Sequence, residues 1–114
     1  MPYIQARLSV KLNDVEKDSL QKELTKTVAV SLSKPSAYIM TEIVDDCSLY
    51  MSENSLDRGA YVSVKALGNL SKDSCNMLSK SICDILASSY QIEPSKTYIT
   101  FHPVDLWGWN GGMF

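Results

Sequence analysis

The sequence predicts an α+β fold in which one β-α-β unit occurs twice within a single domain, residues 1–114. A chain of 114 residues has a length typical of one compact core. Two stretches are nearly alike, SKPSAYIM beginning at Ser33 and IEPSKTYIT beginning at Ile92. Each Pro-Ser pair lies between a segment whose apolar residues have the period of a helix and a segment rich in strand formers. The order strand, helix, strand therefore occurs twice.

The first unit covers approximately residues 2–44. It begins with alternating apolar and polar residues, the period of a half-buried strand. Asn13 and Glu16 then have the spacing of a capping box, and a leucine or valine recurs at every fourth position from Leu20 to Leu32. Pro35 ends this helix because proline disfavours its continuation. The predicted elements are a strand Tyr3–Val10, a helix from about Asp14 to Ser31 and a strand Tyr38–Val44.

The second unit covers approximately residues 60–104 and repeats the plan. A turn at Gly68 separates its first strand from a helix that Ser71 is suited to cap. Apolar side chains follow at spacings of three and four from Cys75 to Ile85, and Pro94 lies beyond the end of the helix. The predicted elements are a strand Tyr61–Leu67, a helix from the Ser71 cap to about Tyr90 and a strand Tyr98–His102.

Two β-α-β units predict one four-stranded mixed sheet with both helices on one face, because such crossovers are almost always right-handed. The other face is then uncovered. The side chains expected there are Tyr3, Gln5, Arg7, Ser63, Lys65, Tyr98, Thr100 and His102. This set is too aromatic for a plain solvated surface, so we expect an oligomer that covers the face.

Composition excludes several classes of function. With 11 basic and 13 acidic residues the net charge is −2, which gives no field for a nucleic-acid partner. No run of about 18 apolar residues predicts membrane insertion, and the N-terminus lacks the pattern of a secretory signal. We therefore expect a cytoplasmic protein. Three cysteines form no CxxC pair and lie far in sequence from the single histidine, His102, so they are interpreted as structural thiols, and no metal site is expected.

Five short motifs, in order, carry a family resemblance: Met-Pro opening directly into a strand, SKPSAYIM, ALGNL after the third strand, KTYITF, and GWNGGMF at the end. Together they resemble the tautomerase superfamily, and within it the family of macrophage migration inhibitory factor and D-dopachrome tautomerase. The match covers essentially the whole chain. It implies a homotrimer whose sheets form a central barrel, with pockets at the subunit boundaries. It also implies a keto–enol tautomerase of the phenylpyruvate or dopachrome type that needs no cofactor.

Pro2 is the candidate catalytic residue. Removal of Met1 would leave its ring nitrogen as a free secondary amine. An ordinary α-amino group titrates at about 7.7 to 8.0, and burial or a nearby cation such as Lys34 favours its neutral form. A neutral amine can take a proton from the carbon beside a ketone and return it elsewhere. From position alone, a proline that merely begins a strand is the alternative.

The resemblance implies further roles around Pro2. Lys34 and the backbone N–H of Leu67 would hold the carboxylate of an α-keto acid or enol substrate, and Tyr98 would reach the substrate from a neighbouring subunit. The remaining pocket residues on this basis are Thr100, Trp107, Trp109 and Phe114. The structural alternatives are a cation at a helix C-terminus for Lys34, a strand aromatic for Tyr98, and interface packing for the aromatic tail.

Three departures from the family pattern alter these expectations. Thr100 stands where macrophage migration inhibitory factor carries asparagine, which weakens the hydrogen bond at that position. Trp107 replaces a smaller aliphatic residue and should narrow the mouth of the pocket. The segment 59–62 occupies the place of the family's CxxC motif, so a thiol oxidoreductase activity is not expected.

Two other functions stay open. The chain could be a non-catalytic, cytokine-like ligand of a cell-surface receptor, released by a non-classical route, with a vestigial pocket. Alternatively, two β-α-β units could form a monomeric ferredoxin-like module for a small ligand or RNA, although the absence of a basic stripe argues against RNA.

Overall fold

The computed structural model describes residues 1–114. It contains two β-α-β units, each followed by a short hairpin. The elements are β1 Pro2–Leu8, α1 Asp14–Leu32, a 3-10 turn Ser36–Tyr38, β2 Met40–Val44, β3 Tyr50–Met51, β4 Asn54–Ser55, β5 Ala60–Leu67, α2 Lys72–Tyr90, a 3-10 turn Pro94–Lys96, β6 Thr97–Val104, β7 Gly108–Trp109 and β8 Gly112–Met113.

The four long strands form one mixed sheet in the order β2-β1-β5-β6. Within each unit the two strands are parallel, and the units join through the antiparallel pair β1 and β5. In this register Pro2 lies opposite Ala66, and Tyr61 lies opposite Tyr98. The predicted mixed sheet of four strands is confirmed.

The hydrophobic core lies between the sheet and the two helices. Alternate residues of the central strands point into it, and both helices contribute a stripe at every fourth position. Its fully buried members include Ile4, Ala6, Leu8, Val62 and Val64 from the sheet, Leu20, Leu24 and Val28 from α1, and Leu78, Ile82 and Leu86 from α2. Both helices therefore pack on the same face, as the right-handed crossovers predicted.

Side chains cap the start of each helix. At α1, Asn13 Oδ1 accepts from the backbone N–H of Glu16 at 2.8 Å, and Glu16 Oε1 accepts from the N–H of Asn13 at 3.0 Å. This is the predicted capping box. At α2, Ser71 Oγ accepts from the N–H of Ser74 at 3.1 Å, so both predicted helix starts are confirmed.

The prediction of a strand from Tyr38 is wrong at its start. Residues 36–38 form a 3-10 turn in which the carbonyl of Pro35 accepts from the N–H of Tyr38 at 3.2 Å, and β2 begins only at Met40. Pro94 likewise begins a 3-10 turn, and its carbonyl accepts from the N–H of Thr97. Proline has a fixed φ and no N–H to offer a ladder, so each Pro-Ser pair starts a turn that precedes the following strand, and β6 begins at Thr97, one residue before the predicted Tyr98.

The sheet face opposite the helices is uncovered in the single chain. The strand register places all the side chains predicted for this face on it, alternating with the buried residues of the core. Tyr61 Oη and Thr100 Oγ1 lie 2.7 Å apart, and Thr100 Oγ1 lies 2.8 Å from His102 Nε2. Tyr98 is 67% exposed.

Neither α1 nor α2 combines the length and apolar character that a membrane-crossing helix needs.

Candidate active site

A mainly apolar cleft of about 770 Å³ opens at the edge of the sheet where β1 and β2 begin. The parallel register brings Met40 beside Tyr3, and the chain after β6 returns to the same edge. The cleft is lined by Met1, Pro2, Tyr3, Ala37, Tyr38, Ile39, Met40, Trp107, Gly108 and Trp109. Three of the sequence-predicted site residues, Pro2, Trp107 and Trp109, therefore meet in one place.

Pro2 is fully buried. Its side chain lies on the helix-facing side of β1 with Ile4, and it pairs with Ala66. The amino group that precedes it, on Met1, has a pKa below its ordinary value, first because the group is partly buried and second because of the positive charge of Lys34. The surroundings of the chain start therefore disfavour a protonated amine.

Lys34 and Leu67 also lie at the start of β1. Lys34 Nζ donates to the carbonyl of Leu67 at 3.5 Å, and the N–H of Leu67 donates to the carbonyl of Met1 at 3.1 Å. Lys34 reaches this position because Ser33 ends α1 with a left-handed φ of 52°, after which the N–H of Lys34 bonds back to Ala29. A cation and a backbone N–H thus converge on the first residue of the chain.

Aromatic rings form the outer part of the cleft. The ring of Trp109 meets Tyr38 edge-on, with centroids 5.7 Å apart, and lies 5.8 Å from the ring of Phe114. Asn110 and Gly111 both have positive φ and make the tight turn between β7 and β8. The N–H of Phe114 then donates to the carbonyl of Trp107 at 2.9 Å. Phe114 therefore does not line the cleft itself but packs behind Trp109.

Tyr98 and Thr100 do not join this cleft within one chain. Tyr98 lies opposite Tyr61, whereas Pro2 lies opposite Ala66. Five residues of strand separate these positions, which corresponds to roughly 16 Å along the sheet. Both side chains lie on the open face, where a second copy of the chain would be needed to bring them to a cleft.

Tyr38, Tyr3 and Met40 are among the cleft residues that sequence reasoning missed. The sequence predicts Tyr38 as the first residue of a strand, but the 3-10 turn brings it to the cleft beside Trp109. Tyr3 was predicted only for the open face, and Met40 only as part of a strand. The parallel pairing of β1 with β2 brings these two residues together at the cleft. No short-range sequence pattern predicts that pairing.

The duplicated β-α-β units, with a proline buried at the edge of an apolar cleft, define a protein of the tautomerase fold. The sequence matches the family described as Macrophage migration inhibitory factor (MIF) over residues 1–114. The chain belongs to the macrophage migration inhibitory factor family, as its motifs predicted. Its fold is that of the MIF-like proteins of the tautomerase superfamily, so the ferredoxin-like alternative is set aside.

Individual relatives support this assignment over the full length. The chain is 31% identical to macrophage migration inhibitory factor of Xenopus laevis over 116 residues, covering 100% of this chain and 99% of that protein. A homologue from Prochlorococcus marinus has a TM-score of 0.89 at 32% identity, covering 98% of both chains. The structure of MIF2 from Leishmania major shares the fold alone, with a TM-score of 0.91 at 24% identity, covering 100% of this chain and 97% of that one.

Proposed function

We propose that the chain is a keto–enol tautomerase that needs no cofactor and in which, after removal of Met1, the ring nitrogen of Pro2 is the general base. Membership of the family supports isomerase chemistry in general. The observation that carries the specific proposal is the complete burial of Pro2 beside an apolar cleft, close to the charge of Lys34. Both features favour a neutral amine near pH 7.

The proposed substrate is a phenylpyruvate-like or dopachrome-like acid. The neutral Pro2 nitrogen removes a proton from the carbon beside the ketone, the resulting Pro2 ammonium gives that proton to the enolate oxygen to form the enol, and the reverse sequence returns the ketone. No electron leaves or enters, and every proton that is taken is returned. The rings of Trp107, Trp109 and Tyr38 offer apolar surface to an aryl group.

The contacts at the start of β1 support a carboxylate site. The N–H of Leu67 now donates to the carbonyl oxygen of Met1. Removing Met1 frees the N–H of Leu67. Lys34 lies close by, because its Nζ bonds the carbonyl of Leu67. A cation and a free N–H are the donors that an α-keto carboxylate accepts best.

A complete site would also use a neighbouring subunit. Proteins of this family are generally oligomeric, and we propose that this chain forms a homotrimer in which the open sheet faces are covered. Tyr98 of one copy would then reach the cleft of the next copy, together with Thr100. The exposure of Tyr98 and its position on the open face agree with this arrangement.

Turnover of phenylpyruvate by substituted chains tests the proposal. Pro2→Gly should lower kcat strongly, and Lys34→Gln should mainly raise KM because the carboxylate loses its cation. Lys80→Gln is the matched control, since Lys80 is an exposed lysine of α2 that pairs only with Asp84. Full turnover by Pro2→Gly would contradict the role of Pro2.

A second proposed function is binding of a cell-surface receptor, and the cytokine-like character of the family favours it. Under this proposal the protein is made in the cytoplasm and released by a non-classical route. Receptor binding that survives Pro2→Gly would separate this function from turnover, whereas equal loss of both would link them.

A further inference from the structure

Three side chains of the open sheet face, Tyr61, Thr100 and His102, are joined by hydrogen bonds into a polar row. Tyr61 Oη lies 2.7 Å from Thr100 Oγ1, which lies 2.8 Å from His102 Nε2. Thr100 and His102 alternate with core-facing residues along β6, and Tyr61 lies on the neighbouring strand β5. His102 is the only histidine of the chain, and histidine is the side chain whose charge ordinarily changes between pH 8 and pH 5. The polar row is therefore the part of the open face that responds to this pH range.

The charge of His102 decides how the hydrogen bonds of the polar row are arranged. A neutral imidazole accepts at Nε2 when its proton is on Nδ1. Tyr61 then donates to Thr100, Thr100 donates to His102, and both hydroxyl protons are used. A protonated imidazole donates from both nitrogens. Thr100 must then accept from His102, and one hydroxyl proton, that of Tyr61 or that of Thr100, is left without an acceptor in the row.

The charged groups around the polar row make protonation of His102 more costly. Lys65 lies opposite His102 in the register of β5 and β6, with roughly 5 Å between the two strands. The other charged side chains of the face are Arg7 on β1 and Glu42 on β2. A hydrogen bond from Tyr3 is the main reason that the pKa of Glu42 lies below its ordinary value, so this carboxylate keeps its charge in mild acid. The remaining titratable groups of the face are the phenols of Tyr3, Tyr61 and Tyr98.

Protonation of His102 thus adds a positive charge to a face that is already positive. With neutral His102 the face carries two cations, Arg7 and Lys65, and one anion, Glu42, so its net charge is +1, and protonation raises it to +2. Every copy of the chain brings the same face. When copies cover this face with one another, the added charges are all of one sign, whatever the rotation between the copies.

We propose that His102 makes assembly of the chain dependent on pH, so that copies covering the open face hold together while His102 is neutral and separate more readily when it is protonated. This inference rests on the homotrimer of the proposed function. On the uncovered face of a single chain, water solvates the added charge and the unpaired hydroxyl. Another copy removes this water, so both become costly.

The direction of the pH dependence follows from linkage. Covering the face favours neutral His102, and protonation of His102 therefore favours separation of the copies. The stabilisation of the assembly is present above the pH range in which histidine titrates and is lost as the pH falls through that range. Since Tyr98 of one copy would reach the cleft of the next copy, separation in mild acid would also leave each cleft incomplete.

Exchange of subunits between oligomers tests this inference. Nitrogen-15-labelled and unlabelled oligomers are mixed at pH 8.0 and at pH 5.5, and native mass spectrometry follows the appearance of mixed oligomers. A histidine in water is roughly 90% protonated at pH 5.5, so keeping His102 neutral costs up to a factor of roughly ten in each copy that is covered. Differences in affinity between forms of one interface appear mainly in the dissociation rate. Exchange should therefore be roughly tenfold faster, or more, at pH 5.5.

Substitutions separate the role of His102 from other effects of acid. His102→Gln should exchange at the same rate at both pH values, because an amide stays neutral. Lys65→Gln should reduce the difference between the two rates, because the cation beside His102 is lost. Lys80→Gln is the matched control, since Lys80 is an exposed lysine of α2 that pairs with Asp84, and it should keep the full difference.

Equal exchange rates of the unsubstituted chain at the two pH values would overturn the role of His102 and leave the homotrimer standing. A rate difference that persists in His102→Gln would do the same. A chain that is monomeric at pH 8.0 would instead overturn the proposed homotrimer, and this inference with it.

Discussion

The substitution Trp107→Val tests whether the large ring at this position shapes the cleft. Trp107 lines the cleft with Pro2 and Trp109, and its side chain is half-buried. An aromatic side chain buries 150 to 250 Å² when fully enclosed, so a ligand on one side of the ring covers roughly 50 Å² that valine would not supply. At about 25 cal/mol per Å² this is about 1.3 kcal/mol, or roughly an eightfold change in Kd.

The assay is titration calorimetry with 3-phenylpropanoate and its bulkier 2-naphthyl counterpart. Trp107→Val should weaken the phenyl ligand by roughly eightfold, because it loses wall contact. The naphthyl ligand should lose less or should gain, because the mouth of the cleft is wider.

Leu106→Ala is the matched control, since Leu106 is the adjacent residue, is 78% exposed and does not line the cleft. Unchanged affinity of both ligands for Trp107→Val would refute the reasoning. An equal change in Leu106→Ala would also refute it, because the effect would then come from the segment rather than from the ring.

Three further predictions concern stability, measured at one protein concentration. Asn13→Ala should lower the free energy of unfolding by about 1 kcal/mol, because alanine has no side-chain oxygen to accept from the N–H of Glu16, whereas the backbone N–H of residue 13 can still donate to Glu16; an unchanged free energy of urea unfolding would contradict the cap. Gln91→Gly should raise the free energy of unfolding by about 0.5 kcal/mol. Gln91 has a φ of 54°, and the strain that glycine relieves there exceeds the entropy that glycine adds to the unfolded chain. A lower thermal midpoint would contradict this prediction. The N–H of Leu12, and then Lys17, hold the pKa of Asp45 below its usual range, so its contribution to stability is present above about pH 4 and is lost as the pH falls through the lower folded pKa. In urea unfolding measured at several pH values, Asp45→Asn should reduce the loss of stability at acidic pH. An unchanged dependence of stability on pH would contradict the contribution of Asp45.

The long elements could be predicted because local and tertiary preferences agree in them. Asn13 and Ser71 are good caps, and the helices that follow place apolar side chains at every fourth position facing the sheet. The exact start of β2 could not be predicted in this way. Tyr38 is a strand former, but Pro35 starts a 3-10 turn first, and the hydrogen bonds of that turn compete with strand pairing.

The two short hairpins are absent from the sequence prediction for two different reasons. In the β3–β4 hairpin, Ser52 and Glu53 both have positive φ, a conformation in which neither residue is common, so the sequence carries no signal for it. In the β7–β8 hairpin, Asn110 and Gly111 are the residues that this turn favours. That signal is present within GWNGGMF, and it predicts a hairpin that the interpretation of this segment as a family motif and an aromatic tail leaves out.

Residues of the candidate site could be proposed from the sequence only where family motifs point to them. Pro2, Trp107 and Trp109, which the resemblance implies for the pocket, line one cleft, and their roles stay predictions. The meeting of Tyr3 with Met40 at the cleft depends on the register between β1 and β2, and no local pattern encodes that register. The position of Tyr98 relative to the cleft likewise depends on a second copy of the chain.

The rate of phenylpyruvate ketonisation by two forms of the same chain tests the central claim most directly. One form begins at Pro2 and the other retains Met1, and intact mass identifies each form before the assay. We predict that only the form beginning at Pro2 turns over substrate, since Met1 converts the Pro2 nitrogen into an amide and its carbonyl occupies the N–H of Leu67. Equal kcat/KM for the two forms would contradict Pro2 as the base.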